Sequence, residues 1–250
     1  MRILVINPNT TQSMTDKIGQ AAWSVASAGT EIVAVNPADG PPSIEGYFDE
    51  VFAVPGIIAE MSKAPAADAY VIACFDDTGL DAARCATEAP VIGIGEAAFH
   101  LASLIAGKFS VVTTLARSVP AIEHNLAKYG LASRCAKVRS SEVAVLELER
   151  PGSNARHRIS QEIARAIHED RAEAIVLGCA GMADLARSLT EEHGVPVLDG
   201  VVCAVTLAES LCKVGLRTSK VGGYATPRGK RFAGIFAALS PAPAEVVPPA

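Results

Sequence analysis

One pattern occurs twice in this chain, about 105 residues apart, and it restricts the fold to two like halves. ADAYVIAC ends at Cys74, and AEAIVLGC ends at Cys179. APVIGIGEAAFHLASL follows the first copy and VPVLDGVVCAVTLAESL the second, placing Pro90 sixteen residues after Cys74 and Pro196 seventeen after Cys179. Upstream, RILVINPNTT matches KFSVVTT, so that Ile6 corresponds to Val112. Landmarks that keep one offset point to duplication of an α/β unit with a cysteine at the same strand end.

In the first copy the apolar run from Tyr70 to Ala73 is short enough for a fully buried strand. Asp76, Asp77, Thr78 and Gly79 supply the turn and capping chemistry that opens a helix. The thiol of Cys74 thus ends a strand and faces the amino end of a helix. Free N–H groups and the helix dipole favour negative charge there, which predicts a thiolate-forming cysteine.

Residues 2–6 read as a buried strand ended by Asn7-Pro8-Asn9-Thr10. Thr10 or Thr11 then caps a helix with Met14, Ile18, Ala22 and Val25 on one side. Strand EIVAV (31–35) leads into NPADGPPSIEG, a Pro/Gly-rich loop suited to be a lid or pocket wall. A helix from about Asp49 to Met61, interrupted near Pro55, precedes the Cys74 strand and its helix. Strand PVIGI and a helix from Glu96 to Ile105 complete the first copy.

The second copy has strand FSVVTT (109–114), a helix near 117–128, a weaker strand around 134–139 and a helix from Ser153 to Asp170. The Cys179 strand, its helix, strand PVL and a helix from Val201 to Cys212 close it. SKVGGYATPRGK is turn-rich, RFAGIFAAL reads as a last helix, and the Pro/Ala-rich tail 241–250 reads as disordered.

Such alternation predicts an α/β fold of two similar pseudo-symmetric domains, each a mainly parallel four-stranded sheet flanked by helices. The first comprises residues 1–96 plus 205–240 and the second 97–204. Ligands of open α/β sheets bind outside the carboxyl ends of the strands, so the active site is expected in the cleft between the domains.

Composition narrows the function. With 27 acids against 22 Lys and Arg and no basic block, nucleic acid is not the expected partner. The opening MRILVINPN is too short in apolar residues for a signal peptide, and no run is long enough to span a bilayer. Six cysteines in such a chain read as reduced thiols in the cytoplasm. No CxxC pair or His/Cys cluster at zinc spacing occurs, so no metal is expected.

Two like acid/base groups across a cleft suit one task. A thiolate removes a proton from carbon beside a carbonyl, and a thiol on the opposite face returns one, inverting the centre. Cysteine serves because its pKa, roughly 8.5, is easily brought toward neutrality at a helix start. Backbone N–H groups would hold the enolate oxygen. Neither a metal nor pyridoxal is required, and no P-loop is present.

With NPNTT after the first strand, CFDDTGL at Cys74 and LGCAGM at Cys179, the chain resembles the aspartate/glutamate/hydantoin racemase superfamily. GPPSIEG and GGYATP fit its hydantoin and allantoin racemase branch, and the resemblance runs to about residue 238. It implies cofactor-independent racemisation of 5-monosubstituted hydantoins, with Cys74 and Cys179 as the acid/base pair, in a homo-oligomer. Glutamate racemases would place C-T-H at the second cysteine, whereas here Ala180, Gly181 and Met182 offer no charge. Arylmalonate decarboxylases resemble a one-cysteine version, and a maleate isomerase would need more polar recognition. An allantoin racemase or an amino-acid racemase of the same superfamily remains the alternative. A non-catalytic binding protein would need no paired thiols, and a cysteine hydrolase would need a histidine near one of them.

Candidate substrate-binding residues are Asn7, Ser43, Phe75, Asp76, Thr113, Thr114, Ala180 and Gly181. Asn7, Thr113 and Thr114 read equally as strand-end caps, Ser43 and Tyr47 equally as surface loop residues. Phe75 is core or pocket wall, and the family pattern tilts it to the wall. Glu96 and Asp199 follow the fourth strands, where acids are ordinary dipole partners. Cys85, Cys135, Cys203 and Cys212 read as small hydrophobes, and no histidine repeats. Carboxylates beside Cys74 predict Cys179 to be the more readily ionised thiol.

Overall fold

Four central strands carry nearly unbroken apolar runs and are buried along their length, as parallel strands covered on both faces must be. They are β1 (Arg2–Ile6), β3 (Ala69–Ile72), β5 (Phe109–Thr113) and β7 (Ala174–Gly178). The computed structural model describes residues 1–64 and 66–241. Beside those strands run β2 (Glu31–Val35), β4 (Val91–Gly93), β6 (Cys135–Ser140) and β8 (Val197–Leu198). They form two all-parallel sheets of the same order, β2-β1-β3-β4 and β6-β5-β7-β8. The predicted duplication is thus repeated strand for strand.

Helices fill the connections: α1 (Gln12–Val25), α2 (Tyr47–Lys63), α3 (Leu80–Ala86), α4 (Ile94–Ile105), α5 (Val119–Lys128), α6 (Ala155–Glu169), α7 (Ala186–His193) and α8 (Gly200–Lys213). None among the described residues is long and apolar enough to cross a membrane.

The two sheets share one core. Phe99 of α4 stacks on Phe109 of β5 at 6.0 Å and meets Phe75 edge-on at 5.4 Å. α4, which follows β4 of the first sheet, packs on β7 of the second. α8, which follows β8, packs on β3 and β4 of the first. The expected boundaries at 96/97 and 204/205 therefore fall inside the two helices that cross between the sheets.

Four local expectations need correction. α2 starts at Tyr47 and runs unbroken through Pro55, whose missing N–H removes a single bond, to an exposed turn at Val51. Thr11 takes the N-cap position of α1 without capping it, because its hydroxyl donates to the Pro42 carbonyl at 2.7 Å. RFAGIFAAL forms no α-helix but only a 3-10 turn over Gly234–Leu239. α4 begins at Ile94, two residues early, because a remote acid caps it: Asp77 accepts from the N–H groups of Gly95 (3.0 Å) and Glu96 (2.8 Å). Tyr129 adds a third donor to that carboxylate at 2.8 Å. The tail expected to be disordered lies, from 242 onward, outside the described residues.

Candidate active site

Register decides which residues share an edge. Ile6 pairs with Ile72 and Thr113 with Gly178, so Asn7 and Ala73-Cys74 leave the first sheet together, as Thr114 and Cys179 leave the second. Both cysteines are half-buried free thiols directly beyond the carboxyl ends of equivalent strands. One side chain connects them electrostatically: the Asp76 carboxylate pushes up the pKa of Cys74 and of Cys179 alike.

The pKa of both thiols is displaced upward, opposite to the pull of a helix start. Burial pushes Cys74 well above the ordinary thiol range, and Asp76 adds to this. The hydroxyl of Thr78, 3.3 Å from Cys74 Sγ, works the other way. Burial likewise raises Cys179 to about 12, against the Gly181 backbone N–H and Lys17, which favour its anion. A helix start contributes a fraction of a charge, and removal from water outweighs it. The carboxylate effect expected at Cys74 is present, and it reaches Cys179 as well.

Asp76 is raised to about 8, first by burial and then by Glu50 and Asp77, so it is largely neutral at pH 7. Its folded pKa exceeds the unfolded value, so its stabilising contribution is complete below about pH 4 and is lost as pH rises toward 8. Asp76→Asn lacks this loss. The variant's melting temperature relative to the parent is expected to rise between pH 5 and pH 8, as read by circular dichroism. A constant difference across that window would refute the shift.

Several expected binding residues are placed, and some are already occupied. The Asn7 amide donates to Asn9 Oδ1 at 2.9 Å and Thr15 Oγ1 at 3.0 Å within its own loop. Thr113 Oγ1 donates to the Gly178 carbonyl at 2.8 Å, bracing the Cys179 strand. Thr114 is buried, and its hydroxyl has no hydrogen bond among the described residues. Phe75 is buried and packs in the shared core against Phe99. Ser43 is half-buried, Tyr47 is exposed, and Ala180 and Gly181 lie buried beside Cys179. Asp199 caps α8 through the N–H groups of Val201 and Val202, and Glu96 pairs with Arg84.

Four neighbours were not singled out from sequence. Glu50, in the first turn of α2, adds its charge to Cys74 and Asp76, and its Oε1 is buried without a hydrogen-bond partner. Glu45 raises Cys179 and accepts from the Val145 N–H at 2.9 Å, fastening the long loop to the second half. Lys17 of α1 donates to the Gly181 carbonyl at 3.3 Å and pairs with Glu149 at 2.9 Å. Asn125 holds the Asp76 carbonyl at 2.8 Å. Each reaches the site from a distant part of the chain, so no local motif signals it. The surface cavities, lined by groups such as Arg84 and Tyr224 or Asp68 and Cys212, include neither catalytic candidate.

The family model for Asp/Glu/Hydantoin racemase matches residues 3–208, a span that includes both cysteines and every strand except the first residue of β1. The chain belongs to this family. It is 51% identical over 236 residues to a hydantoin racemase of Rhizobium meliloti, covering 94% of this chain and 98% of that protein. To a hydantoin racemase of Pseudomonas sp. (strain NS671) it is 48% identical over 238 residues, covering 94% and 96%. The solved allantoin racemase of Klebsiella pneumoniae superposes with a TM-score of 0.94 at 47% identity, covering 96% and 99%. Family membership makes the chain an isomerase of the racemase class acting on a small molecule.

Proposed function

We propose that the protein racemises 5-monosubstituted hydantoins without a cofactor, with Cys74 and Cys179 on opposite faces of C5. The carrying observation is that one carboxylate, Asp76, acts on both strand-end thiols. In each turnover one sulfur, as thiolate, takes the C5 proton, and the electron pair passes to the C4 oxygen as an enolate. The opposite thiol then gives its proton to C5, so the two sulfurs exchange protonation states. A substrate ring brings its own N–H and C=O dipoles into the space, providing polar partners that the empty site withholds from a thiolate.

Charge supports a neutral ring. After burial, Asp76 is the largest charge acting on Cys74, with Glu50 adding to it, and it acts on Cys179 as well, with Glu45 adding to it there, while Lys17, which favours the Cys179 anion, is paired with Glu149. A substrate carboxylate would be set beside these acids, which a neutral ring avoids. Asn7, Ser43, Phe75, Asp76, Thr113, Thr114, Ala180 and Gly181 belong to the proposed binding region, with units 1–96 plus 205–240 and 97–204 on either side. The same reading places the enzyme in the cytoplasm.

Optically pure benzylhydantoin, incubated with the purified protein and no additive, is expected to lose its rotation from either enantiomer with the ring intact. Unchanged rotation from both enantiomers would reject the proposal. The similarity to the Klebsiella allantoin racemase supports a second reading, in which the C5 substituent is a ureido group. Relative rates on alkyl, benzyl and ureido hydantoins separate the two.

A further inference from the structure

Three parts of the chain meet at the turn that follows Cys179. The 3-10 turn Ala180–Leu185 packs against α1 of the first half and against the 3-10 turn Val145–Leu148 of the second. The fit at Gly181 is tight. A Cβ there would stand 3.0 Å from Leu148 Cδ1, 3.6 Å from Cys179 Sγ and 3.7 Å from Met14 Cε. The Gly181 backbone therefore lies against the sulfur, and its N–H bonds that sulfur and favours the anion.

One cation fastens this junction. Lys17, one turn beyond Met14 on α1, brings its Nζ to the Gly181 carbonyl at 3.3 Å and to Glu149 at 2.9 Å, with Asp184 at 3.9 Å. The Lys17 and Glu149 side chains are only 21% and 16% exposed, so solvent screens their pairing less than it screens the contact with Asp184, which is 55% exposed. Cys74 has no counterpart of this arrangement. The charges that act on it, Asp76 and Glu50, are both acids. Like cysteines of the two copies thus stand in unlike fields.

We propose that Lys17 is a positioning residue that makes the two thiols unequal, holding the Gly181 turn and setting a positive charge near Cys179, so that Cys179 is the sulfur that acts first as base in the empty enzyme. The assignment rests on the reading of Cys74 and Cys179 as the acid/base pair. Asp76, from the turn after β3, and Glu45, from the long loop, oppose ionisation of Cys179, while Lys17, from α1, favours it. Glu149 and Asp184 act through Lys17, whose charge they offset. Removing Lys17 therefore hinders ionisation of Cys179. Removing the Glu149 charge leaves Lys17 uncompensated and eases it. A junction that mattered only for structure would respond to both losses in the same direction.

Alkylation by iodoacetamide between pH 7 and pH 10 tests this without any substrate, since the thiolate is the reacting form. Cys179 is the single cysteine of the tryptic peptide 172–187, so mass spectrometry follows it separately from the other thiols. In the parent, Cys179 is expected to react faster than Cys74. Lys17→Met is expected to slow Cys179 roughly tenfold, the effect of about one unit in pKa, and Lys17→Arg to restore it. Glu149→Gln is expected to speed Cys179, and Cys74 is expected to keep the parental rate in all three variants. In racemisation, Lys17→Met is expected to move the rising limb of kcat/KM against pH up by about one unit for both enantiomers. Equal alkylation of Cys179 in the parent and in Lys17→Met overturns the proposal, as does a common direction of change in Lys17→Met and Glu149→Gln, or a parent that reacts faster at Cys74. If benzylhydantoin keeps its rotation while the alkylation rates change as expected, the hydantoin reading fails and the order of the thiols stands.

Discussion

Cys74→Ala and Cys179→Ala are each expected to lower kcat/KM for racemisation by roughly 10³-fold or more, in both directions. Inversion needs a base on one face and an acid on the other. A single thiol can supply only one of these, and the equilibrium constant of one ties the two directions together. The expected effect has a finer structure. Each single variant keeps one sulfur, and that sulfur can still exchange the C5 hydrogen with deuterated water from the face it meets. Proton NMR is therefore expected to show C5 deuteration of one enantiomer with retained rotation, and the other variant is expected to reverse the preference. Cys203→Ala, in α8, provides the control and is expected to leave the rate near that of the parent. A double variant that racemises at the parental rate would remove both sulfurs from the mechanism.

The second large effect is on stability. Gly95 lies where α4 starts beneath the Cys74 turn, and a Cβ there would run into the Phe75 carbonyl oxygen and, at 2.9 Å, Asp77 Oδ2. Neither can retreat freely, since the first is backbone and the second caps the helix. Gly95→Ala is expected to cost about 3 kcal/mol by overpacking, which lowers the melting temperature by roughly 6–12 °C. Gly223→Ala, where a Cβ meets nothing within 4 Å, is expected to change it little. Equal melting temperatures for the two variants would show that the Cys74 turn shifts without cost.

The duplication was legible because it lies in apolar runs and turn residues, which are local signals. It predicts both parallel sheets and the two strand-end cysteines. Capping of α4 by Asp77 was not legible, since the N–H groups it accepts from lie 18 and 19 residues further along. The upward displacement of both thiols was not legible, because the helix dipole shows in sequence and burial does not. Nor was the approach of the Glu45 loop, which is joined to Val145 a hundred residues further along. RFAGIFAAL carries a helical share of apolar residues, yet Gly234 sits at φ +63°, a left-handed conformation that ends helical continuation. Glu50, Lys17 and Asn125 belong to no motif at all, and only folding assembles them around the sulfurs.

The crossing of α4 and α8 gives the chain an unexpected dependence between its parts. Each sheet is roofed by the helix that grows out of its counterpart, with Gly200 of α8 set close enough to Ile94 that a Cβ would stand 2.7 Å from its carbonyl oxygen. Cut at the Gly107-Lys108 link, the polypeptide would yield two fragments, each exporting the cover its partner lacks. Neither could be purified as a sound module, but together they would reassemble. In physical terms, the single chain is a covalently tethered heterodimer.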